Sequence, residues 1–263
     1  MVNVLRLTDV TYARNGRAIL DHLDWSVEDS ERWVVLGPNG AGKTTLMKLA
    51  TGNDYPSTGT VDVLENRLGK IDIFELRSRI GLVSSATSRR IPANESVRNL
   101  VLTAAHSVEG RWNEHYDDID VRQADRILAE WDLTDLADRT FGTLSDGERK
   151  RALIARAVMT DPEMLLLDEP SASLDLGARE RLLQMLSGFA QSPYSPAMIM
   201  VTHHVEEIPP GFTHVLLVRD GRVQAAGPIA LTLTASNLEA TFGMPFELTE
   251  TNGRYTAVAR PSI

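Results

Sequence analysis

The sequence contains no cysteine, which excludes disulfide scaffolding, cysteine-ligated metal sites and thiol catalysis. Aromatic residues are scarce, 6% of the chain against 43% hydrophobic residues in all, so the core must be built from Leu, Val, Ile and Ala, as suits an α/β protein. No apolar run approaches the roughly eighteen residues that a spanning helix needs, so direct insertion into a bilayer is not expected. Arg6 and Asp9 interrupt the stretch where a signal peptide would need an apolar centre. Positive charge is in deficit: 27 Lys and Arg against 36 Asp and Glu leave a net charge of −9, which argues against general binding to nucleic acid or to an anionic membrane face. These absences point to a cytoplasmic protein; any membrane role would fall to another chain. At 263 residues the chain has room for one large domain, or one domain with an inserted lobe.

Residues 2–12 alternate as an edge strand does, and Asn15-Gly16 is a hairpin turn signal leading into a returning strand at Ala18 to Val27. Trp33 to Leu36 is a short apolar run that stops at Gly37, the pattern of a buried strand feeding a Gly-rich turn. A helix is expected from Thr44 to Thr51, then strands at Gly59 to Leu64 and Ile80 to Val83. From about residue 86 to 160 the texture becomes charged and helical, as in Ala124, Ile127, Leu128 and Trp131. Buried-strand character returns at Met164 to Leu167, Met198 to Val201 and Val215 to Val218. The tail carries a second hairpin signal at Asn252-Gly253. No internal repeat is visible.

Two segments carry chemistry. Gly37-Pro38-Asn39-Gly40-Ala41-Gly42-Lys43-Thr44, followed by Thr45, fits a phosphate loop with a strand before it and a helix after it. Glycines let backbone N–H groups converge on phosphate oxygens, and the helix offers its positive end to the same anion. Lys43 should reach the terminal phosphates and Thr44 a Mg²⁺ ion. Met164 to Leu167 is an apolar strand ending on Asp168 and Glu169, which places two carboxylates at the sheet edge where α/β proteins bind ligands. Asp168 can hold Mg²⁺ through its water shell, and Glu169 can orient or deprotonate an attacking water. Taken alone, the pair reads equally as a strand capped by solvated acids.

Further motifs follow in a fixed order: Leu144-Ser145-Asp146-Gly147-Glu148, Ser171 to Asp175 after Pro170, and Val201-Thr202-His203. Over nearly its whole length the chain resembles the ATP-binding cassette family, with these three segments standing as the signature, the D-loop and the switch-histidine strand. The resemblance implies ATP and Mg²⁺ as ligands and ATP hydrolysis as the reaction. It also implies that His203 supports the γ-phosphate and that Ser145 and Gly147 contact ATP held by a partner, either a second copy or a homologous cassette. Tyr12 sits where the family places an aromatic against adenine, although an edge-strand aromatic can equally be packing. Ser145 with Glu148 three residues on is also a capping box, which is compatible with that role. His204 and His214 read as structural.

Two departures stand out. Ser85 occupies the family's glutamine position, where a side chain usually contacts Mg²⁺ or water and couples to a membrane partner; a neutral variation there weighs equally. Asp146 and Glu148 replace the usual glycine and glutamine of the signature, so Asp146 must turn away from any phosphate. The expected fold is a P-loop α/β core with an antiparallel β sub-sheet and an inserted α-helical lobe. Residues 1–85 and 161–230 would form the core, 86–160 the lobe and 231–263 a short C-terminal tail. The expected function is the ATPase subunit of an ABC transporter, an importer rather than an exporter, paired with a separate membrane-spanning subunit at the inner face of the membrane. The alternatives are a soluble cassette ATPase acting on a cytosolic partner and, far behind, another P-loop class.

Overall fold

The computed structural model describes residues 2–106 and 116–260; part of the helical stretch expected over 86–160, residues 107–115, falls outside them. Strands β1 (Asn3–Arg14) and β2 (Arg17–Glu28) pair antiparallel around Asn15 and Gly16, both at positive φ, 52° and 76°, as a two-residue hairpin turn requires. Strand β3 (Arg32–Leu36) is buried at every position, and helix α1 (Lys43–Ala50) follows it. Strand β4 (Thr58–Val63) lies against the other edge of β1, and the short β5 (Asn66–Arg67) completes a four-stranded antiparallel sheet in the order β2-β1-β4-β5. Gly59 allows the approach of β4 to β1: a Cβ there would sit 2.2 Å from the Asp9 carbonyl oxygen, and its φ is +79°.

After helix α2 (Ile73–Ser78) and strand β6 (Ile80–Val83) come four helices, α3 (Ser85–Ser88), α4 (Val97–Leu102), α5 (Asp118–Glu130) and α6 (Asp146–Val158). Strand β7 (Met164–Asp168), helix α7 (Leu176–Ala190) and strands β8 (Ala197–Val201), β9 (His214–Arg219) and β10 (Arg222–Pro228) finish the main body. Six strands form one sheet in the order β10-β9-β3-β8-β7-β6, parallel except for the edge strand β10.

Alternation within this sheet builds two cores. Val34, Leu165, Leu167, Met198 and Met200 face the cluster formed with α4 to α7. Trp33, Val35, Met164, Leu166 and Ile199 face the other cluster, with the antiparallel sheet and α1. Strands covered on both faces read as continuous apolar runs, which is why β3, β7 and β8 were legible as such. The C-terminal ends of the adjacent strands β3, β8 and β7 open on one edge of the sheet, and each leads directly into a motif: Gly37, His203 and Glu169.

The tail is more structured than the sequence suggests. Helices α8 (Ile229–Thr232) and α9 (Ala235–Phe242) precede the hairpin of β11 (Phe246–Thr251) and β12 (Arg254–Ala259). Helix α9 starts on the Thr234 side chain and stops at Gly243, which adopts φ +77°. Eight residues are too few for periodicity to announce such a helix. Leu100 in α4 is fully buried; Leu100→Ala is expected to lower stability by about 2–5 kcal/mol. Denaturant unfolding checks this, and a loss under about 0.5 kcal/mol would contradict the packing of α4.

Candidate functional site

The turn after β3 is built for close approach. A Cβ on Gly37 would lie 2.1 Å from the Val218 carbonyl oxygen of β9, and Gly40 and Gly42 take φ of +81° and +103°. Ala41 N–H donates to the Pro38 carbonyl at 3.2 Å, closing the loop, while Gly221 N–H donates to the Ala41 carbonyl at 3.1 Å. Asn39, Gly40 and Thr44 are exposed; Pro38 and Thr45 are half-buried. Helix α1 starts at Lys43 with no side-chain cap and no acidic residue in its first turn, so its N–H groups are left for an anion. Lys43 is 6% exposed, and its ammonium donates to the carbonyls of Gly37 at 2.7 Å and Pro38 at 3.0 Å. Burial lowers its pKa, with Glu169 and Asp168 acting in the opposite sense.

Asp168 ends β7. Burial raises its pKa and neighbouring Glu169 adds to the rise, while Lys150 and Lys43 oppose it. Glu169 adopts φ 48°, a left-handed conformation rare for this residue. Three bonds hold it there: its N–H donates to the Val201 carbonyl at 2.9 Å, and its own carbonyl accepts from Ala172 N–H and from the Lys150 ammonium, each at 3.2 Å. Its carboxylate lies 3.3 Å from Nδ1 of His203. His203 is therefore in contact with Glu169, whereas His214 stacks on Trp33 at 4.8 Å. Sequence reasoning passed over Lys150: nothing in Arg149-Lys150-Arg151 marks which cation turns toward the acids. Burial lowers the Lys150 pKa, against the pull of Glu169 and Asp168.

The donor set suits Mg²⁺. No group of three or more His, Cys, Asp or Glu able to hold a metal occurs among the described residues. Thr44 and Asp168 line one open cavity of about 810 Å³, together with Ser84 and Ser85. One hydroxyl and one carboxylate match an ion that keeps several waters and takes its remaining ligands from substrate phosphates. Ser85 begins α3, and the preceding Ser84 hydroxyl caps that helix by accepting from Thr87 N–H at 3.2 Å.

Ser145 and Gly147 share no hydrogen bond with the 37–44 loop of their own chain among the described residues. Ser145 is exposed and caps α6 in a full capping box with Glu148. Its hydroxyl donates to the Glu148 carboxylate at 2.8 Å and its N–H donates at 2.7 Å. That N–H holds the Glu148 carboxyl below its ordinary pKa. Asp146 turns toward Arg149, 3.3 Å away. Gly147 lies against Ala178 in α7. Tyr12 is 9% exposed and packs in the cluster under the antiparallel sheet; its hydroxyl donates to Asp54 at 2.5 Å.

A family profile described as ABC transporter matches residues 20–172. The chain is 39% identical over 246 residues to YlmA of Bacillus subtilis, an uncharacterized ABC transporter ATP-binding protein, covering 93% of each chain. It is 32% identical over 247 residues to the hemin import ATP-binding protein HmuV of Rhodococcus jostii, covering 94% of this chain and 82% of that one. Among solved structures, cbiO1 of Clostridium perfringens, part of the ABC transporter complex cbiONQ, superposes with a TM-score of 0.76 at 26% identity, over 87% of this chain and 89% of that one.

The raised Asp168 pKa has a consequence for stability. Between the ordinary aspartate pKa and the shifted value the folded state binds more protons than the unfolded one, so stability falls as pH rises through that window. Asp168→Asn removes the cost of the buried charge. Without nucleotide or metal, the variant is expected to melt above the parent at neutral pH, with the gap closing toward pH values near 4, where aspartate takes up its proton. Thermal melts across pH check this; a variant that melts lower at neutral pH would overturn the assignment.

Proposed function

The chain belongs to the ATP-binding cassette family as the ATP-binding subunit of an ABC transporter, and on that premise we propose how its residues divide the work of binding and hydrolysing ATP. The observation that carries the proposal is the uncapped start of α1 with Lys43 beside it, next to the cluster of Asp168, Glu169 and His203.

The N–H groups of residues 37–45 and the Lys43 ammonium hold the β- and γ-phosphates. Lys43 exchanges its bonds to the Gly37 and Pro38 carbonyls for phosphate oxygens. The Thr44 hydroxyl and the Asp168 carboxylate are the protein's donors to Mg²⁺, with the Ser85 hydroxyl within reach of the metal's water shell. Bound Mg²⁺ supplies neutralisation of charge on the phosphates. Glu169 orients the attacking water and accepts its proton, and its left-handed backbone, fixed by Val201 and Lys150, aims the carboxylate. His203, in contact with Glu169, supports the γ-phosphate. Tyr12 is the aromatic set against adenine. Ser145 and Gly147 serve the nucleotide of a second copy, which is why they have no partner in their own loop. To reach that phosphate the Ser145 hydroxyl gives up Glu148. Closing two copies on two nucleotides is the mechanical output.

Residues 1–85 and 161–230 act as the nucleotide-binding core, 86–160 as the lobe that presents the signature and 231–263 as the tail. The direction is import, supported by the hemin import relative, and the separate membrane subunit docks over the cavity beside Ser85. No helix of the described residues is long and apolar enough to cross a membrane, so the translocation path belongs to that partner.

Glu169→Gln is expected to cut Mg²⁺-dependent hydrolysis by roughly 10²–10⁴-fold, the size of a general-base contribution, while ATP still binds and the chain elutes at twice its mass. Steady-state hydrolysis and light scattering read both; undiminished turnover removes Glu169 from the mechanism. The same variant, held closed by ATP, is expected to bring a multi-span chain with it from solubilised native membranes. Recovery of the cassette alone from that fraction would sink the transporter assembly proposed here.

A further inference from the structure

We propose that the C-terminal hairpin β11–β12 braces the loop that carries His203, with Arg254 as the positioning residue. The inference rests on the reading of His203 as the γ-phosphate contact. The Arg254 guanidinium spans two motif-bearing segments. Nη1 donates to Glu180 Oε2 at 2.7 Å, and Nη2 donates to Glu180 Oε1 at 3.2 Å and to the Glu206 carbonyl at 2.7 Å. Glu180 lies in α7, whose N-cap is Asp175 of the D-loop segment. Glu206 lies in the single 3-10 turn Val205–Glu207, three residues after His203. The tie is reciprocal, because the Glu206 carboxylate accepts from Ala257 N–H of β12 at 3.3 Å. Arg254 also holds the Glu180 carboxyl below the ordinary carboxylate range.

The seat beneath is apolar. Phe246, Leu248, Tyr255 and Ala257 pack on the main core, and Pro210 lies under Gly253. A lone two-stranded hairpin is marginal in water, so this one owes its order to that seat. From the inner side the same loop is held by the buried Glu207, which accepts from the Thr202 hydroxyl, and by His204 N–H donating to Thr202 at 3.1 Å. His203 is thus carried on a short loop clamped from both sides, with its ring 3.3 Å from Glu169. The Arg254–Glu180 pair is partly exposed, and such pairs add little to global stability. Its geometry is the bidentate one that fixes orientation. Its loss therefore acts on the placement of His203 and hardly on folding.

The experiment compares full-length Arg254→Ala, Arg254→Lys and His203→Ala by steady-state ATP hydrolysis and by amide hydrogen exchange. Arg254→Ala is expected to lower kcat roughly 10-fold with KM almost unchanged, short of the ~10²-fold that a misplaced group can cost. Exchange is expected to quicken at residues 203–208 and not in β3, β7 or β8. Arg254→Lys restores part of kcat, since a point charge keeps the attraction but not the fork. Unchanged kcat in Arg254→Ala overturns the inference, as does a fall in kcat without faster exchange at 203–208, or with faster exchange throughout the sheet. If Arg254→Ala does not fold, Glu180→Gln keeps the shape and is read the same way, with a smaller loss expected. Full turnover in His203→Ala would instead sink the γ-phosphate reading, an outcome distinct from a failure of the brace.

Discussion

The open amide end of α1 is the constraint around which the rest is arranged. Every other described helix of eight residues or more has a side-chain cap: Asp117 on α5, Ser145 on α6, Asp175 on α7 and Thr234 on α9. Helix α1 has none, and its N-cap Gly42 sits at φ +103°, where a Cβ would also strike Leu20 at 2.6 Å. Unsatisfied donors at a helix start cost stability unless something binds them. The chain leaves that cost standing where an anion can relieve it, and spends its glycines on keeping the approach clear.

The charges nearby follow the same logic. Two cations, Lys43 and Lys150, and two anions, Asp168 and Glu169, share a partly buried space. Burial pushes both lysines toward their neutral form and Asp168 toward its acid form. The two lysines and Asp168 are thus disfavoured in their charged forms for the same reason, loss of water. Phosphate oxygens favour charged lysines, and a divalent cation favours an ionised Asp168. On the function proposed above, nucleotide and metal arriving together would relieve what either alone would relieve only in part. The signature end is held differently. Ser145 spends its hydroxyl on Glu148, and Asp146 is drawn aside by Arg149, so the exposed helix tip is folded and at rest before any second copy meets it.

Much of this was legible in the sequence because it is local. A run such as Trp33 to Leu36 that halts at a glycine, or Met164 to Leu167 that halts at two acids, states its strand and its edge directly. Asn15-Gly16 and Asn252-Gly253 announce hairpins because few residue pairs accept two positive φ values in succession. What escaped was the choice of partner across the fold. Arg254 meets Glu180 at 74 residues' separation and the Glu206 carbonyl at 48, and no periodicity encodes either pairing. Lys150 is one of three adjacent cations, and only the tertiary contact of its ammonium with the Glu169 carbonyl selects it. Tyr12 was read for its ring, while its hydroxyl bond to Asp54, 42 residues on, depends on how the antiparallel sheet meets the end of α1.

The two kinds of residue do different work. The motifs supply groups of the right chemistry at the ends of β3, β7 and β8. Residues outside the motifs then help to place each: the Val218 carbonyl lies against Gly37, Lys150 holds the Glu169 carbonyl, and Glu207 and the hairpin hold the loop of His203. A group that contacts phosphate in the ground state governs affinity, whereas one that only orients such a group bears on the transition state, where geometry is least forgiving. It follows that the supporting residues should show themselves in turnover more than in nucleotide affinity. It follows too that a cassette can keep every motif and still differ from its relatives in rate, because the bracing that sets the geometry lies in segments the motifs do not mention.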